Sequence, residues 1–408
     1  MTFNGKSMKK IIILYVVSIL FFSCKDYDFQ PAYTLSLSLN FPEGYTLSGF
    51  PAGGVTVNLT NTNTGRVVTA TTDASGKLSC ILVEGNYDVT CSFTVTVDGE
   101  EYTFNGTQGD YLLTPESNLQ IGLIMANSGD FILKEVYYAG SRTPEGKTYY
   151  SDQFHEIYNN TGEILYADSL CIGVLQQSSS SPNRWVKEDG SFMDELPITF
   201  HVWMIPGSGH DHPVLPGESL VIAQDGIDHQ TDPNGNPDSP VNLGNADWES
   251  YVEISGKDLD APGVPNLTMM YTTTTTSNDW MHSVFGSAVV IFRLPVDWHE
   301  YVDNPDNFMT LPGSTSSTRY FMVDKDNVID AVEIVRVEES RRYKRLPNEL
   351  DAGYTYLEGG TYCGKSIRRK VKMIVDGRVI YKDTNNSSED FLHDLAPTPG
   401  VNPTTVEN

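Results

Sequence analysis

The chain has 408 residues, with 27 Lys+Arg against 53 Asp+Glu and a formal charge of −26 at pH 7. That length has room for two or three domains, and 39% hydrophobic with 20% charged residues is a composition that folds. The acidic balance excludes a sequence-independent grip on nucleic acid or anionic lipid, both of which need clustered Lys and Arg.

The first element is a targeting segment. Met8-Lys9-Lys10 precedes an apolar run from Ile11 to Phe22 and then Ser23-Cys24. The run is too short for a bilayer, which needs roughly 20 apolar residues, and fits the core of a secretory signal over residues 1–23, with Met8 as its start. Phe21-Phe22-Ser23-Cys24 resembles the bacterial lipoprotein cleavage box, with Phe at a position usually held by Leu. The resemblance implies that Cys24 is lipidated and heads a linker over residues 24–33. Lys25-Asp26-Tyr27-Asp28 resembles the sorting signal that sends some lipoproteins to the outer face of the outer membrane. More than one acyl chain makes such an anchor stable, since each buried CH₂ adds about 0.8 kcal/mol. Cleavage removes three lysines and no acid, so 24 bases then face 53 acids and the charge becomes −29.

Residues 34–127 follow as short alternating strands with turn signals roughly every ten residues, the spacing of a β-sandwich. Cys80 and Cys91 flank Gly85-Asn86 at equal distances in KLSCILVEGNYDVTCSF. Read as a two-residue hairpin, this register sets the two cysteines opposite each other. They are then either a cross-strand disulfide or two small buried hydrophobes. Thr72-Asp73-Ala74-Ser75-Gly76, then Leu82, Gly85 and Tyr87, resembles the rhythm of carboxypeptidase-regulatory or transthyretin-like sandwiches, which implies a structural or binding stalk.

Residues 128–408 begin with strands at DFILKEVYYAGS and DQFHEIYNN, then PGESLVIA, AVVIFRL and YFMVDKDNVIDAVEIV. Between them, residues 176–216, 226–286 and about 340–365 read as loop insertions rich in Gly, Pro, Asn, Ser and Thr without helical periodicity. Residues 135–138, 154–159, 168–173, 216–223 and 328–332 resemble the strand succession of the lamin-tail domain, an immunoglobulin-like sandwich. The expected fold class is therefore all-β: two β-sandwich domains, immunoglobulin-like and prealbumin-like, the second carrying long loop insertions.

The insertions hold the candidate sites. His210, Asp211 and His212 sit in a glycine-softened loop, with Asp228-His229 beyond it, and imidazole with carboxylate suits a transition metal. Asp232, Asn234, Asn236 and Asp238 offer oxygens at alternate positions, as calcium loops do. Pro237 and Leu243 occupy the glycine and final-glutamate positions of an EF-hand and exclude that helical form. A divalent cation, calcium or a transition metal, is the cofactor these sets could hold; the bland alternative for each is a solvated polar turn. His299-Glu300-Tyr301-Val302-Asp303 mimics a zinc-protease helix, but Pro295 and Pro305 leave it too short. Tryptophans 185, 203, 248, 280 and 298 lie in or beside the insertions, as a binding platform or as core anchors.

Residues 207–260 carry eleven acids and one base, whereas 336–382 hold 12 of the chain's 27 bases. Arg368, Lys370 and Lys372 would share one face of a hairpin turning at Asp376-Gly377 and form an anion or partner patch, unless they pair internally with the acids. Nucleophile elbows, Walker loops and dinucleotide glycine fingerprints are missing, so no catalytic residue is expected.

The whole layout resembles an uncharacterised family of bacterial surface lipoproteins that joins a carboxypeptidase-regulatory-like sandwich to a lamin-tail-like domain. The resemblance implies a non-enzymatic binding module at the cell surface, beside an outer-membrane nutrient or metal-complex uptake system with a TonB-dependent-type transporter as partner. A structural or adhesive surface protein and a metal-dependent hydrolase using His210 and His212 are its rivals.

Overall fold

The computed structural model describes residues 31–97, 99–126, 130–176, 178–280 and 282–407. The expected signal segment and Cys24 lie outside the described residues. Seven strands open the fold: β1 (Ala32–Asn40), β2 (Thr56–Asn61), β3 (Val67–Thr71), β4 (Lys77–Val83), β5 (Asn86–Val97), β6 (Glu100–Leu112) and β7 (Ser117–Met125). Their order is β3-β2-β5-β6-β7-β1-β4. β7 pairs in parallel with β1 through Ser117–Gly122 and antiparallel with β6 through Leu123–Met125, so one strand joins the two layers. Alternate residues of each strand face the layer between them, among them Leu35, Leu37, Val57, Leu59, Val89 and Ile121. This is the period of two that the sequence displays.

The expected pairing of β4 with β5 does not form. β4 pairs with β1, which sets Cys80 opposite Leu35, and β5 pairs with β2 and β6, which sets Cys91 opposite Val57 and Gly106. At Glu84-Gly85 the chain arches from one layer to the other instead of turning within a sheet. A side chain at Gly85 would meet the Asn61 amide at 2.6 Å, so the close crossing requires glycine. Cys80 and Cys91 therefore belong to different layers, and both are free thiols. The Thr72–Gly76 signature has a local role: the Asp73 carboxylate accepts from the backbone N–H of Ser75 and Lys77, and Thr72 Oγ1 accepts from Val55 N at 3.0 Å.

The second region is built on two facing sheets. Apart from the two-residue strands Ser141–Arg142, Thr148–Tyr149, Leu165–Tyr166 and Pro213–Val214, its strands are β8 (Phe131–Tyr137), β9 (Phe154–Asn159), β10 (Cys171–Val174), β11 (Glu195–Ile198), β12 (His201–Met204), β13 (Ser219–Ala223), β14 (Trp248–Glu249), β15 (Thr268–Thr272) and β16 (Val289–Phe292). After them come β17 (Phe308–Thr310), β18 (Arg319–Asp324), β19 (Val328–Val332), β20 (Ser366–Arg369), β21 (Val371–Val375), β22 (Arg378–Tyr381) and β23 (Phe391–Leu395). One sheet runs β14-β13-β9-β8-β20-β23 and the other β15-β12-β10-β16-β19. Between them lie Val136, Phe154, Ile157, Ile172, Trp203 and Val289. A third sheet, β11-β18-β17, covers the outer face of the second through Ile198, Phe321 and Val323 packed on Val202, Val290 and Phe292. Burial on both faces explains why Val289–Phe292 reads as an unbroken apolar run.

The segments expected as pure loops hold strands of their own, β11 and β12 within 176–216 and β14 and β15 within 226–286. They are two to five residues long, too short to imprint a period among turn residues. His299–Asp303 falls in a helix of only six residues, Trp298–Asp303. Among the described residues, no helix is long and apolar enough to cross a membrane.

Two ion clusters engage the first sheet of this region, one within it and one joining it to β19 of the facing sheet. Lys134 and Glu156 pair at 2.7 Å with no exposure on either side chain. Arg369, 1% exposed, meets both oxygens of Asp330 at 2.7 and 2.8 Å, reaches Asp383 and Asp390 at 3.2 and 3.3 Å, and lies over the Phe391 ring. The two regions touch where Asn105 Nδ2 donates to the Thr384 carbonyl at 2.5 Å and where Lys372 pairs with Glu101.

Candidate functional site

The three insertions meet over one end of the sandwich and enclose a cleft of about 490 Å³. The 176–216 insertion contributes Gln176 and Phe200, the 226–286 insertion His282 and Phe285, and the 340–365 insertion Tyr362. Tyr150, ahead of β9, and Tyr320, on β18, complete an aromatic wall. A volume of this size, lined by rings with a few polar groups, is the usual build of a small-ligand site.

Local backbone geometry sets the wall. Thr199-Phe200 carries the chain from the third sheet to the second, and Phe200 takes a left-handed conformation, φ 54°, and is 37% exposed. Its carbonyl accepts from Thr273 N at 2.8 Å, which ties the first insertion to the second. Tyr362, φ 55°, is seated by its N–H donating to the Ala139 carbonyl. The Phe285 ring is 44% exposed and covered on one face by the Arg336 guanidinium at 4.5 Å.

Polar groups at the cleft floor are locked. The Ser287 carbonyl can only accept, so His282 Nε2 carries the proton of their 2.9 Å bond. His282 Nδ1 is then bare and accepts from His155 Nε2 at 3.0 Å. Both rings are buried, and burial pushes His282 down to about 4 and His155 well below its ordinary range. Gln176 Oε1 accepts from Trp185 Nε1 at 2.7 Å, and Ser287 Oγ donates to the Leu175 carbonyl at 2.8 Å.

The residues singled out from sequence lie elsewhere. The Asp168 carboxylate accepts from the N–H groups of Gly209, Asp211 and His212, which curls that loop. His210 packs on Tyr166 and His212 on Trp248, while Asp211 accepts from Ser208. Asp228 and Asp232 cap their own turns, Asp228 accepting from Thr231 Oγ1 and Asp232 from the Asn234 N–H. His229 is buried, taking a bond from Tyr149 on Nδ1 and giving one to the Asp225 carbonyl from Nε2. Asn236 is buried too, donating to Ser141 Oγ and the Arg142 carbonyl, and its side chain receives the Asp238 N–H. Among the described residues, the one group of three carboxylate, imidazole or thiol donors close enough to share an ion is Asp225, Asp258 and Asp279.

The basic face is dispersed. β20 ends at Arg369 and β21 starts at Val371, so Arg368 and Lys372 sit in different sheets. Arg368 grips Glu407 through both guanidinium nitrogens at 2.7 and 3.2 Å, Lys372 pairs with Glu101, and the Lys370 N–H donates to the Asp390 carbonyl. The Asp376-Gly377 turn does form, with both residues at positive φ and Val375 opposite Arg378. None of the tryptophans lines the cleft. Trp203 and Trp280 are fully buried in the sandwich core. Its aromatic wall is Phe and Tyr, scattered over 212 positions of sequence with no spacing that links them; their concentration in Gly- and Thr-rich loops is the one trace the sequence carries.

Residues 215–398 match a family described as a protein of unknown function (DUF4876). The chain is also similar to the crystal structure of a DUF4876 family protein from Bacteroides thetaiotaomicron VPI-5482. Identity is 28%, coverage is 92% of this chain and 99% of that one, and the TM-score is 0.58. A DUF3823 family protein from Parabacteroides merdae ATCC 43184 matches at 11% identity over 47% of this chain and 80% of its own, with a TM-score of 0.17. No curated protein matches this chain.

Proposed function

We propose that the protein is a lipid-anchored binding module of the outer cell surface. On this reading it is not an enzyme: it captures a nutrient or metal complex in the cleft and serves an outer-membrane uptake system. The observation that carries the reading is the cleft itself, a concave site that all three insertions of the lamin-tail-like domain build jointly and that five Tyr and Phe rings line. Rings of this kind hold a ligand by an apolar face, and Gln176 beside them offers an amide for orientation. The first sandwich then acts as the stalk between Cys24 and the cleft.

Recovery of the lipidated protein from outer membranes tests the setting: a TonB-dependent-type transporter is expected to co-purify, and its absence from mild-detergent extracts would count against an accessory role. A glycan array probed with the protein and with Phe200→Ala/Tyr320→Ala tests the cleft. Binding that the double variant loses supports it; binding that the double variant keeps places the ligand elsewhere.

A further inference from the structure

Beside the cleft, segments far apart in sequence bring three carboxylates together. One oxygen from each of Asp225, Asp258 and Asp279 lies within 4.8 Å of the other two. Asp225 is only 6% exposed, and its enclosed Oδ1 accepts no hydrogen bond. No salt bridge among the described residues involves any of the three. A buried carboxylate oxygen without a donor or a counter-charge costs several kcal/mol, a cost that a cation among the three acids would relieve at Asp225, whereas Asp258 and Asp279 also hydrogen-bond to each other.

The surroundings hold these acids in place. Asp258 accepts from Val252 N at 2.6 Å and from Leu259 N at 2.9 Å, and Asp279 accepts from Ser151 Oγ at 2.9 Å. Glu249 is fully used as a tie, taking the N–H groups of Gly226 and Ala261 at 2.8 Å each, and so fixes the residue after Asp225 to the loop that carries Asp258. Burial and then the charges of Asp279 and Asp258 push Asp225 up to about 9, while burial and Asp279 push Asp258 up to about 8. The nearest imidazole, His229, has both nitrogens engaged, by Tyr149 and by the Asp225 carbonyl.

We propose that Asp225, Asp258 and Asp279 bind one hard divalent cation, calcium in preference to a transition metal. An all-oxygen donor set carried on irregular loops suits calcium, which tolerates variable geometry, whereas zinc and copper favour nitrogen and sulfur. Asp225 and Asp258 belong to the acidic stretch 207–260, but Asp279 lies beyond it and none of the alternate oxygens at 232–238 takes part. The cation staples the 226–286 insertion to Ser151 and thereby to Tyr150 of the cleft wall. This holds whatever the cleft takes.

The test uses the full chain in detergent, stripped with EDTA and titrated by calorimetry with calcium, magnesium and zinc chlorides in turn. One saturable calcium ion per chain is expected, with a rise in unfolding temperature. Asp225→Asn, which removes an anionic ligand at constant shape, should weaken calcium by more than about tenfold while retaining the far-ultraviolet dichroism of the parent. Asp279→Asn gives a second reading should Asp225→Asn fail to fold. Absence of saturable calcium binding, zinc binding tighter than calcium, or calcium affinity unchanged in the folded variants would each overturn the site.

Discussion

His155 donates its Nε2 proton to Nδ1 of His282 across 3.0 Å, with the two rings stacked at an interplanar angle of 5°. The pair links β9 to the cleft floor, and it exists only while His282 is neutral: a proton added to His282 Nδ1 would set two donors against each other. Burial enforces the neutral state, since neither ring has a carboxylate to stabilise its charge.

Nitrogen-15 spectra of the imidazoles are therefore expected to show both rings neutral, with His282 protonated on Nε2 and bare on Nδ1, down to pH 5. An imidazolium signal from either ring at pH 5.5 would defeat the assignment.

His201 presents the same physics without a partner. Both its nitrogens are buried and unbonded beside Trp203, and burial pushes it down to about 4. Its folded value lies below the unfolded value near 6.5, so its stability contribution is complete above pH 6.5 and is lost as pH falls toward 4. The urea-unfolding free energy of the protein, relative to His201→Phe, should fall by about 2 kcal/mol between pH 6.5 and 4.5. A constant difference across that range would show that this imidazole does not titrate with unfolding.

Arg369 is the ion-pair partner of the buried carboxylates of Asp330 and Asp390. Arg369→Met removes that cation from Asp330 and Asp390, and should cost about 3–5 kcal/mol in denaturant unfolding. Adding Asp330→Asn should recover part of that loss. If the single variant loses less than about 1 kcal/mol, Asp330 and its neighbours are already neutral in the fold.

Phe200 pays for its left-handed backbone, a cost of roughly 1–2 kcal/mol that glycine escapes, while glycine adds a similar entropy to the unfolded chain. Phe200→Gly should then leave stability within about 1 kcal/mol of the parent and still abolish cleft binding. A large destabilisation would mean that the ring is a packing element of the wall.

On the proposed anchoring at Cys24, Cys24→Ala should move the protein from the membrane pellet to the soluble fraction, because acyl chains there would supply the membrane affinity. An unchanged partition would remove the lipid anchor from the proposal.

Strand content was legible because burial on one side of a strand writes a period of two, as in Leu35-Ser36-Leu37-Ser38-Leu39. Partner choice was not. The Gly85-Asn86 signal reads equally as a hairpin or as an arch between layers, and only the packing of β4 on β1 and β5 on β2 decides between them. The same limit applied to charge: Arg368, Lys370 and Lys372 alternate on paper, yet the break at Lys370 sends their neighbours into two sheets.

By itself the sequence determined the all-β class, the acidic character of residues 207–260 and the Asp376-Gly377 turn, since each depends on residues near one another in the chain. Tertiary structure alone decided which acids meet and which rings face the cleft. Asp225 and Asp279 are 54 positions apart and Tyr150 and Tyr362 are 212 apart, and local rules carry no information on distances closed by packing between sheets.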